Sequence, residues 1–133
     1  MGRYFSITEL CASDTAKARG VDNTPPPQVA VKLTTLIGKL LDPVREAWGK
    51  PIRVNSGFRS HVLNRMVGGK PNSQHLTGEA ADITAGSPAA NKRLFALIKN
   101  GGFEFDQLID ERKLTWIHVS YRAGKNRQQV LSL

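Results

Sequence analysis

Hydrophobic residues recur every three or four positions between Gln28 and Trp48. This spacing places them on one face of an α-helix. Pro43 lies inside the run and lacks the amide hydrogen that a helix interior needs, so we predict an amphipathic helix with a kink or a restart there. The residues expected on its buried face are Val29, Leu33, Leu36, Ile37, Leu40, Leu41 and Val44.

Capping residues predict shorter helices on both sides of this run. Ser6 is followed three residues later by Glu9, the spacing of a capping box. Ser87 precedes Pro88, a pairing typical of a helix N-terminus, and that helix should run to about Lys99. Further short helices are predicted after Ser13, ending at Gly20, and over residues 60–66.

Short apolar runs predict strands in the second half of the chain. Glu111–Leu114 is a short joint between two of them, which favours an antiparallel hairpin. Helices first and a sheet afterwards indicate an α+β domain with a small, mainly antiparallel sheet flanked by helices. The predicted strands are 52–55, 80–84, 105–110 and 115–121. We expect one domain over residues 1–133, with a helical part (1–50), a sheet part (51–122) and a polar, partly loose tail (123–133).

The composition limits where the protein works and what chemistry it carries. One cysteine, Cys11, excludes an intramolecular disulfide and a thiolate-rich zinc cluster, so any metal needs His, Asp or Glu ligands. The N-terminus has no basic-then-apolar run, which predicts synthesis in the cytoplasm without a signal peptide. No apolar stretch approaches ~18 residues, so we expect no membrane insertion.

The net charge of +8, from 19 Lys and Arg against 11 Asp and Glu, predicts an anionic partner. Nucleic acid and a bacterial cell wall both qualify. The basic residues are scattered, without an aromatic-rich stripe or a nucleic-acid-binding module, so we expect no nucleic acid partner. A loose basic cluster lies near the C-terminus, at Arg122, Lys125 and Arg127.

Two stretches carry the candidate chemistry. Strand alternation places Asp82 on one face of its strand and Ala81 and Ile83 on the other, and it separates His118 from its apolar neighbours in the same way. If the two strands are neighbours, Asp82 and His118 lie ~5 Å apart, a gap that a metal ion can bridge. With His75 added, two imidazoles and one carboxylate suit Zn²⁺ with an open fourth position. On spacing alone, ordinary hydrogen-bonding roles remain the alternative.

Three motifs resemble one known family. They are Ser-Gly-Phe-Arg-Ser at 56–60, Asn-Ser-Gln-His-Leu-Thr-Gly-Glu-Ala-Ala-Asp-Ile at 72–83 and Trp-Ile-His-Val-Ser at 116–120. Together they resemble the zinc D-Ala-D-Ala carboxypeptidase family, peptidase M15, and in particular its small phage-type and bacterial members. The resemblance covers nearly the whole chain. It implies a hedgehog- and D-Ala-D-Ala-peptidase-like architecture and one zinc ion per chain.

The same resemblance implies roles for individual residues. It assigns the zinc ligands to His75, Asp82 and His118. It gives Arg59 a part in binding or polarising the substrate, and it places Ser73 in contact with the substrate peptide.

The general base is the point at which the sequence departs from the family pattern. Many relatives carry an acid three residues before the last histidine, where this chain has Thr115. A hydroxyl cannot take that proton. The small phage-type members resemble this chain in carrying an acid at the end of the preceding strand, and this resemblance implies Glu111 as the base. Asp110 is the second candidate, and a solvated hairpin turn is the alternative for both.

These observations predict zinc-dependent hydrolysis of peptide bonds in bacterial peptidoglycan stem or cross-link peptides. The enzyme would be either a D-Ala-D-Ala carboxypeptidase or an endolysin-type endopeptidase, acting on the wall after release from the cell, with a phage-encoded origin as one option. We expect a monomer. A non-catalytic, zinc-containing wall-binding domain is the alternative, and charge-driven nucleic-acid binding ranks last.

Overall fold

The computed structural model describes residues 3–133, with the helices mostly in the first half of the chain. Three of the predicted caps are present, because Ser6, Ser13 and Ser87 each accept a hydrogen bond from the amide three residues on. The helices are α1 (Ile7–Cys11), α2 (Asp14–Arg19), α3 (Pro27–Leu36), α4 (Asp42–Trp48), α5 (His61–Met66) and α6 (Pro88–Asn100).

The predicted break near Pro43 is confirmed and takes the form of one wide helical turn. A π-helical turn over Ile37–Leu41 joins α3 directly to α4. The amide of Asp42 donates to the carbonyl of Ile37, five residues earlier. Proline cannot donate a hydrogen bond, and its ring clashes with the carbonyl four residues before it, so a wider turn next to Pro43 relieves both problems.

Five strands form one sheet in the order β1-β2-β4-β3-β5. The pairs β1–β2, β2–β4 and β3–β4 are antiparallel, and only the β3–β5 pair is parallel. The predicted α+β class with a mainly antiparallel sheet is therefore confirmed. The strands are β1 (Arg53–Ser56), β2 (Ala80–Thr84), β3 (Gln107–Glu111), β4 (Trp116–Ser120) and β5 (Gln129–Ser132).

The hydrophobic core lies on one face of this sheet. Ala81 and Ile83 of β2 align with Val119 and Ile117 of β4, and all four are buried with the apolar faces of the helices. Asp82 pairs with His118 in the same register. The opposite face therefore carries the candidate ligands in adjacent strands, as the alternation predicted.

The C-terminal tail differs from the loose segment that we expected. It ends in β5, and where that strand begins the amides of Gln128 and Gln129 donate to the carbonyls of Phe105 and Asp106. A parallel partner far away in sequence supplies these hydrogen bonds, and no hairpin signal in the sequence marks it. No helix within residues 3–133 has the length and apolar character needed to cross a membrane.

Candidate metal centre and active site

His75, Asp82 and His118 converge on the polar face of the sheet. Nδ1 of His118 lies 2.9 Å from Oδ1 of Asp82, and Nε2 of His75 lies 3.4 Å from the same oxygen. The two imidazole rings meet edge to face with their centroids 5.2 Å apart. One potential ligand atom from each residue falls within 4.8 Å of the others, so a single ion can contact all three.

A short 3-10 turn over Gln74–Thr77 presents His75 to the two strands. The hydroxyl of Ser73 caps this turn by accepting from the amide of His75. Gly78 ends it with φ 79°, where a Cβ would lie 2.9 Å from both the backbone oxygen and a side-chain carbon of Val29. Glycine is required there for both reasons, and the chain can then turn back into β2.

The backbone selects the nitrogen that His75 offers to a metal. Its Nδ1 lies 2.7 Å from the carbonyl oxygen of Gly57, which can only accept, so Nδ1 carries the proton. Nε2 is the nitrogen left to face Asp82, 3.4 Å from its Oδ1. Gly57 itself packs against α1, where a Cβ would lie 2.2 Å from the carbonyl oxygen of Leu10. A side chain at position 57 would therefore push the segment 56–60 away from α1, and with it the carbonyl that binds His75.

Asp82 is ionised within this group. Burial on its own disfavours the charged carboxylate, but hydrogen bonds from His118 and His75 and the charges of these rings outweigh it. The pKa of Asp82 consequently lies far below its usual range. A buried anion between two imidazoles is the electrostatic environment of a cation site.

This donor set fits zinc. His75 is almost fully buried, and the side chains of Asp82 and His118 are 16% and 12% exposed, so the cluster is dry on the protein side and open towards the cleft. Two nitrogen donors and one oxygen donor are a common catalytic zinc set. The carbonyl that orients His75 is the kind of supporting contact that metal-bound histidines have.

The three side chains His75, Asp82 and His118 are called the metal group below. Arg59 lines both the cleft that contains this group and a neighbouring pocket of about 360 Å³. Its amide donates to the carbonyl of His75, and the buried Nε of its guanidinium has no hydrogen-bond partner within residues 3–133. Burial lowers the pKa of Arg59, and the charge of Asp82 opposes that shift. The guanidinium is thus a cation in the lining of the cleft that contains these three side chains.

The two candidate bases point to different faces of β3. Glu111 pairs with Trp116 in register and lines the same cleft as His118, because the alternation puts it on the polar face of the sheet. Asp110 aligns with the buried Ile117, and its carboxylate accepts a hydrogen bond from the amide of Leu114. Of the two acids, Glu111 is the one that shares a cleft with the metal group.

The cleft around the metal group has a volume of about 900 Å³. Ser73 lines it, as do residues 67–70 and four residues of the C-terminal tail, Arg122, Arg127, Leu131 and Leu133. Thr115 is exposed and donates its hydroxyl to the carbonyl of Arg112. His61, the remaining histidine, is exposed at the start of α5.

Two groups that contribute to this site had no role in the predictions from sequence. Asn23 bridges the backbone on both sides of Arg59, and Arg122 and Arg127 line the cleft from the tail. The arginines stood out only as a basic cluster. Asn23 lay in a predicted loop, where nothing in the local pattern indicates contacts with residues 35 and 37 positions later.

Comparisons with known proteins point in one direction. A family model described as Peptidase M15 matches residues 3–120. A zinc D-Ala-D-Ala carboxypeptidase of Streptomyces albus G is 56% identical over 48 residues, which cover 35% of this chain and 19% of that protein. The chain thus spans about a fifth of the length of this relative.

Proposed function

The chain belongs to the peptidase M15 family, and from this premise we propose that it is a zinc metallopeptidase that hydrolyses peptide bonds in bacterial peptidoglycan. The convergence of His75, Asp82 and His118 in an open cleft carries this proposal. The activity named for the Streptomyces relative supports the substrate class. The protein would act on the wall after release from the cell.

The three converging side chains are the proposed ligands. Nε2 of His75, Nδ1 of His118 and the carboxylate of Asp82 would hold the zinc ion. When bound, zinc supplies Lewis-acid chemistry, which polarises a carbonyl and acidifies water. The ionised state of Asp82 prepares this site before the metal arrives, because its carboxylate does not have to be deprotonated at neutral pH.

The side chains around the metal group would carry the proton and the charge. Glu111 accepts the proton of the attacking water and then donates it to the leaving amine. Arg59 stabilises the negative charge that develops on the carbonyl oxygen, or it binds a substrate carboxylate. Its guanidinium can serve in either way because it lines the cleft that contains the three ligands. Ser73, which lines the cleft, offers a hydroxyl to the peptide.

Removal of a terminal D-Ala is the first specific reaction that we propose. Cleavage of an internal or cross-link bond is the second, and one feature of the cleft favours it. With a volume of about 900 Å³ and a lining that includes both Lys70 and Leu131, the cleft has room for more than the last residues of a peptide. A substrate could therefore extend beyond a terminal D-Ala.

The test combines metal analysis with digestion of purified peptidoglycan. We expect about one zinc ion per chain, lost in His75→Ala and retained in His61→Ala, which changes an exposed histidine outside the group. Digestion should release free D-Ala if the enzyme is a carboxypeptidase, or new amino groups without free D-Ala if it is an endopeptidase. Zinc-loaded protein that binds the wall and releases neither product would instead be a non-catalytic wall-binding domain.

A further inference from the structure

The C-terminal residues 121–133, here called the C-terminal wall, hold an arginine at the edge of the metal cleft. Nε of Arg127 donates to one oxygen of Asp106 at 2.8 Å, and a terminal nitrogen donates to the other at 3.0 Å. Asp106 is fully buried, and the hydrogen bond from Arg127 is the main cause that lowers its pKa to about 2. The Arg127 side chain is still 55% exposed. One edge of the guanidinium is thus fixed and the other faces the cleft.

Arg122 repeats this arrangement nearby. Its Nε donates to Glu79 at 3.3 Å, and the Glu79 side chain is only 7% exposed. The Arg122 side chain is 45% exposed and lines the same cleft as Arg127. Because only Nε is engaged, both terminal nitrogens of Arg122 remain able to donate.

The charges in the cleft favour an anionic ligand. Asp82 belongs to the metal group, which leaves Glu111 as the other acid that lines the cleft within residues 3–133. A guanidinium held at one edge by a buried acid loses little freedom when its other edge binds, and its fork geometry matches a carboxylate. The basic residues that line the cleft are Arg59, Lys70, Arg122 and Arg127.

The C-terminal wall lies beyond the part of the chain that the family match covers. That match ends at residue 120, and the wall begins at the next residue. The wall is nevertheless built into the fold, since β5 pairs with β3 and the amide of Arg127 donates to Asp106. Arg127 is therefore tied to the fold through both its backbone amide and its guanidinium.

We propose that Arg122 and Arg127 form a carboxylate-binding subsite that selects stem peptides with a free carboxylate away from the scissile bond. This inference rests on the proposed peptidase function and narrows its substrate class. Peptides in which that carboxylate is amidated would be poorer substrates. Arg59 remains available for the group at the reacting end of the peptide.

The test uses two soluble stem peptides that differ only in whether one internal carboxylate is free or amidated. Zinc-loaded protein should cleave the free form with a kcat/KM ~10–100-fold higher than that for the amidated form, which is the range expected for a hydrogen-bonded charge pair. The difference between the two peptides should lie mainly in KM. Arg122→Gln and Arg127→Gln should each reduce this preference about tenfold. Arg93→Gln removes the same charge from the exposed side of α6 and should leave the preference intact.

Folding must be separated from binding in these variants. Arg127→Gln leaves the buried Asp106 carboxylate without its ion-pair partner. The double variant Arg127→Gln with Asp106→Asn removes both charges and avoids an unpaired buried acid. Arg122→Gln is milder, because Lys32 lies 4.0 Å from Glu79 and Thr77 donates to it. Thermal unfolding of each variant identifies those that fold, and the peptide preference is compared among these.

The outcomes distinguish this inference from the proposed function. If the wild type cleaves both peptides equally well, the carboxylate subsite is wrong while the peptidase function stands. If neither peptide is cleaved, the proposed function fails for these substrates, and calorimetric binding of the two peptides then decides the subsite. Equal affinity for the two forms, or an unchanged preference in both folded arginine variants, would overturn it.

Discussion

The carbonyl of Gly57 and the amide of Arg59 both bind His75, one at its ring and one at its backbone. A single loop therefore positions a proposed ligand and a proposed substrate-binding cation together. Asn23 in turn holds this loop, because it donates to the carbonyl of Phe58 and accepts from the amide of Ser60. Precision at the metal group thus depends on residues that never contact it.

Replacement of Asn23 should disturb catalysis through Arg59. Asn23→Ala removes hydrogen bonds to three backbone groups, those of Cys11, Phe58 and Ser60. We expect a loss of about 1–3 kcal/mol in the free energy of unfolding, together with a raised KM for peptide. Asn100→Ala, an exposed asparagine at the end of α6, is the matched control. A KM equal to that of the wild type in folded Asn23→Ala would show that the loop keeps its position unaided.

Glu111 should be needed for chemistry and not for metal binding. Glu111→Gln keeps the size of the side chain but cannot take a proton, so kcat should fall ~10²–10⁴-fold with the zinc content unchanged. Steady-state kinetics on a stem peptide and metal analysis of the same sample measure both. Glu104→Gln, an exposed acid outside the cleft, controls for the lost charge. Loss of activity in Asp110→Asn, with Glu111→Gln active, would assign the base to Asp110 instead.

At the scale of elements, the local pattern was sufficient wherever neighbours in sequence decide the structure. The caps at Ser6 and Ser87, the break beside Pro43 and the alternation in β2 all depend on residues within one or two turns. The convergence of His75, Asp82 and His118 was predictable for this reason, because alternation set the faces and the family motif indicated the partners. Their role as zinc ligands stays a prediction. Membership of the M15 family is likewise confirmed.

Elements whose partners lie far away in sequence were not predictable. β5 exists because β3 offers it a parallel edge, and the ordering of Arg127 depends on a buried Asp106. Parallel pairing leaves no turn signature, and a buried acid looks like a surface acid in the sequence. The expectation of a loose tail was wrong for these reasons. Residues 121–133 were therefore not expected to line the cleft.

The hairpin between β3 and β4 contains backbone strain that can be measured. Arg112, Lys113 and Leu114 all have positive φ, at 46°, 55° and 66°. A left-handed conformation costs a residue with a Cβ roughly 1–2 kcal/mol. Lys113 is exposed, so Lys113→Gly should raise the free energy of unfolding by about 1 kcal/mol. Chemical denaturation measures this directly.

The control for that variant uses the same substitution where φ is negative. Lys92 is exposed within α6, and Lys92→Gly should lower the free energy of unfolding by about 1 kcal/mol. Opposite signs at the two lysines would confirm that the backbone conformation decides the effect. Destabilisation of similar size at both positions would show that Lys113 makes a favourable contact that outweighs the strain.

At the scale of the whole molecule, the net charge of +8 and the basic cleft act over different distances. Scattered surface charges would attract a polyanionic cell wall from several ångströms away, and salt screens such attraction. The arginines of the C-terminal wall instead contact a bound group at hydrogen-bonding distance and from fixed positions. Attraction to the bacterial cell wall and selection of the peptide should therefore respond differently to ionic strength.

Salt should slow digestion of intact cell walls more than cleavage of a short, soluble stem peptide that carries the free carboxylate. Raising the salt from ~0.05 to ~0.5 M shrinks the screening length from roughly 14 Å to roughly 4 Å. The long-range attraction then disappears, while contacts within the cleft persist.

Lys17→Gln combined with Arg19→Gln removes two exposed charges of α2 and should weaken digestion of the cell wall at low salt without changing peptide cleavage. Turbidity of a wall suspension and release of the peptide product give the two rates. If both rates fall in parallel with salt, the surface charge does not serve in wall binding, and the cation-rich cleft alone accounts for the preference for anionic substrates.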